Sequence, residues 1–165
     1  MDKIIITGPE SSGKTTLCND LAYHFKLSQS KEYARLYLKK KGKDYTQEDL
    51  LIIAKGQLNL EKVNILLDTD LITIKIWSKY KFGSCNTCIL DKIEEQKNEN
   101  RFYLLCKPDI PWESDPLREN PNDRMELFEI YKMELENLGH KYYIVEGKER
   151  VENVIKKIYQ LTTLN

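Results

Sequence analysis

The segment Gly8-Pro-Glu-Ser-Ser-Gly-Lys14-Thr15 sets two glycines, a lysine and a hydroxyl residue at the spacing GxxxxGK(S/T). That combination points to phosphate binding. Glycines let successive backbone N–H groups turn inward around phosphate oxygens, and a helix beginning there adds favourable potential for an anion. Lys14 would reach the β and γ phosphates of ATP, and Thr15 would offer its hydroxyl to Mg²⁺. Gly8, Glu10, Ser11, Ser12, Gly13 and Thr16 complete the expected cradle. The alternative is a chance glycine turn ahead of a helix. Against it stands the context, a strand before the motif and a helix after it.

Carboxylates supply the next candidates. Asp68-Thr69-Asp70 closes an apolar run. In an open parallel sheet ligands bind outside the carboxyl ends of the strands, so these acids are expected to face the phosphate loop. Asp68 is placed to hold the Mg²⁺ shell. Asp70 could reach a sugar hydroxyl, or could simply cap the helix that follows. Glu32 and Arg35, in Glu-Tyr-Ala-Arg, form a third group. A carboxylate there could accept the proton of an attacking hydroxyl while the arginine steadies charge, although the i, i+3 spacing also suits an ordinary surface ion pair.

These residues need a scaffold, and the hydrophobic pattern describes one. Lys3 to Thr7 reads as a buried strand, and Leu17, Leu21 and Phe25 fall on one helix face. A weak strand over Leu27 to Lys31 precedes a short helix ending near Lys39 to Lys41. Thr46 and Asp49 form a capping box for a helix carrying Leu50, Ile53, Ala54 and Leu58. Further strands are expected at Asn64 to Asp68, Arg101 to Cys106 and Tyr142 to Val145. Further helices are expected over Leu71 to Tyr80, around Ile89 to Ile93, along Phe128 to Leu138 with a stop at Gly139, and along Val151 to Ile158. Strands alternating with helices imply an α/β fold: a parallel sheet of about five strands with helices on both faces.

One stretch fits neither element. Residues 107–124 include "PDIPWESDPLRENPNDR", with four prolines and five acidic residues. Long loops of this kind tend to be binding loops or lids.

Composition excludes several function classes. The 165 residues suffice for a single domain with a real core, and 26 basic residues balance 26 acidic ones. No general basic field exists to attract nucleic acid or anionic lipid, so any anion must be bound locally. No apolar run suits a signal peptide or a membrane span, and a cytoplasmic location is expected. The four cysteines are then expected as thiols, Cys18 and Cys106 as small apolar residues. Cys85 and Cys88 form a CxxC without a second pair at zinc-site spacing. His24 and His140 are isolated and expected at the surface or as caps.

Together these residues carry a resemblance. "GPESSGKTT", "EYARLYL", "DTDLITIKIWSKY", "PDIPW", "DPLRENPNDR" and "VEGKERVENV" occur in order along nearly the whole chain. They resemble the ribosylnicotinamide kinase domain of the NadR family in a stand-alone form. The resemblance implies a P-loop nucleoside-kinase-like three-layer fold and ATP-dependent phosphorylation of nicotinamide riboside to its mononucleotide. It implies Glu32, Tyr33, Arg35 and Asp70 as substrate contacts, and residues 107–124 as a lid whose Arg118 and Arg124 meet the transferring phosphoryl group. Without it, those arginines would be read as solvated or paired with Glu119 or Asp123.

Nicotinamide riboside carries a fixed positive charge, so its pocket needs an aromatic face or a carboxylate near the base. Trp112, at the head of the lid, is the expected aromatic contact, with Glu113 beside it, and Trp77 is expected in the core. The sequence also departs from its relatives: Leu36 stands where many have glutamate, and Pro116 where others have glycine, which stiffens the lid. Multifunctional relatives carry a helix-turn-helix and an adenylyltransferase domain ahead of the kinase, whereas this sequence opens at the kinase's first strand. Neither DNA repression nor dinucleotide synthesis is expected. The rival functions are a kinase for another nucleoside or a nucleotide, and a non-catalytic switch driven by ATP binding. Oligomeric state is left open.

Overall fold

The computed structural model describes residues 2–163. Five parallel strands, β1 (Lys3–Thr7), β2 (Gln29–Ser30), β3 (Leu66–Asp68), β4 (Arg101–Cys106) and β5 (Lys141–Val145), form one sheet in the order β2-β3-β1-β4-β5. Helices α1 (Lys14–Phe25), α2 (Tyr33–Lys41), α3 (Gln47–Glu61), α4 (Leu71–Phe82), α5 (Thr87–Gln96), α6 (Arg124–Asn137) and α7 (Arg150–Thr163) connect and cover them. The expected alternation is therefore present. No helix among the described residues is long and apolar enough to cross a membrane.

Parallel strands buried on both faces should read as continuous apolar runs, and "KIIIT" and "RFYLLC" do. Side chains alternate between faces along each strand. Ile5, Leu67, Tyr103 and Leu105 enter one core with α2 to α6, while Ile4, Ile6, Leu66, Phe102 and Leu104 enter a second with α1 and α7. The register sets Ile6 beside Asp68 on one side and beside Leu104 on the other. The carboxyl ends of β1, β3 and β4 therefore open at one level, where the phosphate-loop motif leaves β1.

Local signals explain most boundaries. Thr46 and Asp49 make the capping box reciprocally, the Thr46 hydroxyl accepting from the Asp49 N–H and the Asp49 carboxylate from the Thr46 N–H. Gly83, in the left-handed region at φ 74°, ends α4, whose last residue Phe82 lies two beyond the expected end. The weak second strand shrinks to two residues paired with β3. His140 is not at the surface: it is 8% exposed, its ring 4.9 Å from that of Tyr103, and burial lowers its pKa. It follows the Gly139 turn directly into β5, which carries the ring inward.

Candidate active site

Gly8 leaves β1 at φ 131°, and a side chain there would stand 2.6 Å from the Cys106 carbonyl oxygen. Only glycine lets the loop pass this close to β4. The loop ends at Gly13, φ 82°, which caps α1 without a side-chain hydrogen bond. The first N–H groups of α1 are thus offered to whatever occupies the loop. Lys14 curls over it, donating to the carbonyls of Gly8 at 2.9 Å and Pro9 at 2.6 Å. A cavity of about 150 Å³ opens at this point, lined by Gly8, Glu10, Ser11, Ser12, Gly13, Lys14, Thr15 and Thr16. Glu32, just ahead of α2, Arg35 of α2 and Arg118 of the loop after β4 complete its charged wall.

Asp68 lies beneath that wall, 3% exposed at the end of β3. Its Oδ2 accepts the Thr15 hydroxyl at 2.7 Å, whereas Oδ1 is buried with no hydrogen-bond partner. Burial raises the carboxyl pKa, and the Thr15 hydrogen bond and the Lys14 charge pull it back. A buried carboxylate oxygen without a donor, beside a threonine hydroxyl, is what a hard divalent cation would satisfy. Thr15 and Asp68 therefore fit Mg²⁺. Among the described residues no three His, Cys, Asp or Glu side chains cluster as a metal cage, and Cys85 and Cys88 are free thiols.

Glu32 precedes α2 as its N-cap without capping it by its side chain. Its carboxylate is instead turned to the cavity. Burial raises its pKa, the Lys14 charge lowers it, and Asp68 raises it again. Arg35 approaches Glu32 at 3.9 Å, but its shorter contact is with the lid residue Asp115 at 2.8 Å. The i, i+3 pair exists, and the arginine also ties α2 to the lid.

The segment expected as a lid, residues 107–123 here, contains neither helix nor strand and lies against the phosphate loop. Glu10 accepts the backbone N–H groups of Glu119 at 2.9 Å and Asn120 at 3.0 Å. Ser11 Oγ accepts from the Glu113 N–H at 2.9 Å and from Arg118 at 3.4 Å. Under the lid a second cavity of about 280 Å³ continues the first, sharing the walls Glu10, Leu38, Trp77 and Leu117. Tyr45, Tyr80, Glu119 and Lys81 also line it, Lys81 pairing with Glu119 at 3.1 Å and lying 3.7 Å from the Tyr45 ring centre.

Four expected contacts lie elsewhere. Asp70 is 1% exposed and wholly engaged: it accepts the Ile72 N–H as the cap of α4, the Tyr103 hydroxyl at 2.7 Å and the Arg101 guanidinium at 3.2 Å. The left-handed Thr69, φ 71°, turns the chain between Asp68 and Asp70 and separates their directions. Tyr33 lines neither cavity; its N–H donates to Gln57 and its ring lies over Gly56 of α3. Trp112 has the Arg118 and Arg124 guanidinia 5.9 and 5.7 Å from its ring centre and lines neither cavity. Arg124 donates to the carbonyls of Ser11 and Ile110, each at 3.0 Å, from outside the loop. In their place the structure brings in Trp77, Thr73 and Tyr131. Leu36 is 55% exposed, so the departure from glutamate there falls on the surface.

A protein-family model described as "AAA domain" matches residues 3–153. The trifunctional NAD biosynthesis/regulator protein NadR of Escherichia coli is 27% identical over 159 residues, which are 88% of this chain and 38% of that protein. The chain thus spans well under half the length of this curated relative. Among solved structures, NadR in complex with NR superposes with a TM-score of 0.73 at 20% identity, over 96% of this chain and 51% of that one. NadR with NAD and AMP-PNP gives 0.75 at 21% identity, over 99% and 50%. Deoxyadenosine kinase from M. mycoides with bound dCTP gives 0.60 at 15% identity, over 96% and 99%. These likenesses carry the fold, a P-loop nucleoside-kinase-like sheet and helices.

Proposed function

We propose, from the premise that the chain belongs to the AAA-domain family and has a NadR-like, nucleoside-kinase-like fold, that it transfers the γ-phosphoryl group of ATP to nicotinamide riboside. The observation that carries this reading is one cavity lined by Lys14, Thr15 and Glu32, with Thr15 bonded behind it to Asp68, whose other oxygen has no partner. NadR has been crystallised with NR and with AMP-PNP, which supports the choice of both substrates.

The chain's residues divide the work by position. The loop N–H groups and Lys14 bind the triphosphate and neutralise charge that grows on the transferring group. Thr15 and Asp68 would hold Mg²⁺, which would supply positive charge against the phosphates. Glu32 accepts the proton of the ribose hydroxyl as its oxygen forms the new P–O bond. The bond between the γ phosphorus and the bridging oxygen breaks, and ADP leaves with that electron pair. Arg118 lines the cavity from the lid and supplies positive charge from above, and lid contacts exclude water. Trp77, Tyr45 and Tyr80 give the second cavity aromatic walls; Lys81 already lies over the Tyr45 ring and pairs with Glu119, which leaves Trp77 and Tyr80 as the faces to receive a cationic base.

A kinase for a different nucleoside is the second reading, favoured by the fold likeness to deoxyadenosine kinase. The test measures kcat/KM with ATP for nicotinamide riboside, its neutral reduced form, uridine and deoxyadenosine. A ring over a cation is worth about 0.5–2 kcal/mol, so the charged riboside is expected to exceed the reduced one by several-fold to about thirty-fold. A strong preference for uridine or deoxyadenosine overturns the choice of acceptor.

A further inference from the structure

Arg150 is the first residue of α7, where a positive side chain opposes the helix dipole. Helix stability therefore does not account for it. Its side chain is only 12% exposed, and its guanidinium makes three contacts on three different segments. Nη1 donates to the Ser12 carbonyl at 2.9 Å, Nε to the Gly147 carbonyl at 3.2 Å, and Nη2 to Asp109 Oδ1. The other Asp109 oxygen accepts the Gly147 N–H at 2.7 Å. Phosphate loop, lid root and the turn after β5 thus meet at one ion pair.

The contact on Ser12 bears directly on phosphate binding. A peptide unit is planar and trans, so its C=O and N–H point in opposite directions. An arginine that holds the Ser12 oxygen from outside turns the Gly13 N–H away from itself, toward the cavity that Gly13 lines. Arg124 does the same one residue earlier: it holds the Ser11 oxygen at 3.0 Å, which sets the Ser12 N–H. Two consecutive loop peptides are therefore clamped by arginines that open two different helices, α6 and α7. Gly13 also lacks the Cβ that would stand 3.2 Å from Arg150 Nη1.

We propose that Arg150, held by Asp109, is a positioning residue that presets the Gly13 N–H for a nucleotide phosphate and links that setting to the root of the lid. This rests on the kinase reading for its purpose, but the clamp itself is a property of the free protein. Asp109 matters as the partner that fixes the guanidinium. Loss of either should loosen the same peptide.

The experiment compares Arg150→Lys, Arg150→Ala and Asp109→Asn with the parent by three readouts. These are the Gly13 amide resonance and its hydrogen exchange without ligand, Kd for AMP-PNP, and the separate KM values for ATP and nucleoside. Lysine keeps the charge but not the fork that reaches Ser12, Gly147 and Asp109 together. Expected are a displaced, faster-exchanging Gly13 amide in all three variants, and AMP-PNP binding weakened about ten-fold in Arg150→Ala, the scale of one charged hydrogen bond. The KM for ATP should rise and that for nucleoside should stay within two-fold, roughly. An unmoved Gly13 amide, or a loss shared equally by both KM values and Tm, overturns the proposal and leaves Arg150 a tie between α7 and the lid. Should Arg150→Ala not fold, Asp109→Asn and Arg150→Lys carry the same comparison. A parent protein that binds no AMP-PNP would refute the kinase reading, while the Gly13 amide would still decide the clamp.

Discussion

Asp68 and Asp70 stand at the end of one strand, and their surroundings differ in a way that separates the two charged regions of the molecule. Around Asp70 every group is matched: Arg101, fully buried, bonds Glu61, Asp70, Glu99 and the Tyr103 hydroxyl, and Gln96 donates to Glu61. Around Asp68 the matching is incomplete. One of its oxygens has no donor, Lys14 rests on loop carbonyls, and Glu32 sits beside Asp68 with both carboxyl pKa values raised by burial. Buried charge that is fully paired serves architecture, and buried charge with unused capacity marks the place where a ligand is bound.

Breaking the paired region should cost the most. Arg101→Leu leaves the Glu61 and Asp70 carboxylates buried without their cation, and unfolding in urea should show a loss of about 3–5 kcal/mol. If stability changed by less than about 1 kcal/mol, as surface ion pairs do, the contrast between the two regions would fail. Lys14→Ala is the matching change in the unpaired region. It should leave Tm close to the parent's and lower kcat by about 10²–10³-fold, the scale of one lost transition-state donor. A folded variant with normal turnover would remove the phosphate loop from the chemistry.

Arg118 in the segment after β4 and Arg124 at the start of α6 extend the comparison. Arg118 lines the cavity, and Arg124 holds the loop from outside. Arg118→Ala should lower kcat about ten-fold or more with less effect on the KM for ATP, whereas Arg124→Ala should raise that KM. The reverse pattern would exchange their roles.

The smallest effect concerns pH. Burial raises the Glu32 carboxyl above its ordinary 4.5, so it loses its charge at a higher pH than an exposed glutamate would. A base must be ionised, so kcat/KM should fall as pH falls through that raised value. Glu32→Gln should reduce the rate and take its own acid limb out of the profile. A limb of unchanged height and position in that variant would assign it to Asp68 alone.

How much of this was legible depended on distance along the chain. The phosphate loop, the Thr46 capping box and the apolar strands are local patterns, and they lie where the spacing placed them. Asp70 was equally visible, but its partners Arg101 and Tyr103 are a strand away, and only the folded sheet shows that they claim it. Trp77 and Trp112 differ from expectation for the same reason. Trp77 was expected in the core and does pack against it, yet it also lines both cavities, while the prominent loop tryptophan Trp112 lines neither and has two arginines near its ring. Arg150 gave one local sign, a positive residue opening a helix, and its contacts span the loop, the lid and the last turn.

The measurement that bears most directly on the central claim follows the γ-phosphoryl group itself. The protein is incubated with γ-labelled ATP, Mg²⁺ and nicotinamide riboside, and the label is traced by mass to product, alongside Lys14→Ala. The account predicts label in nicotinamide mononucleotide, formed with one ADP per transfer and nearly absent with the variant. Label that stays in ATP, or reaches only water in both proteins, would contradict it.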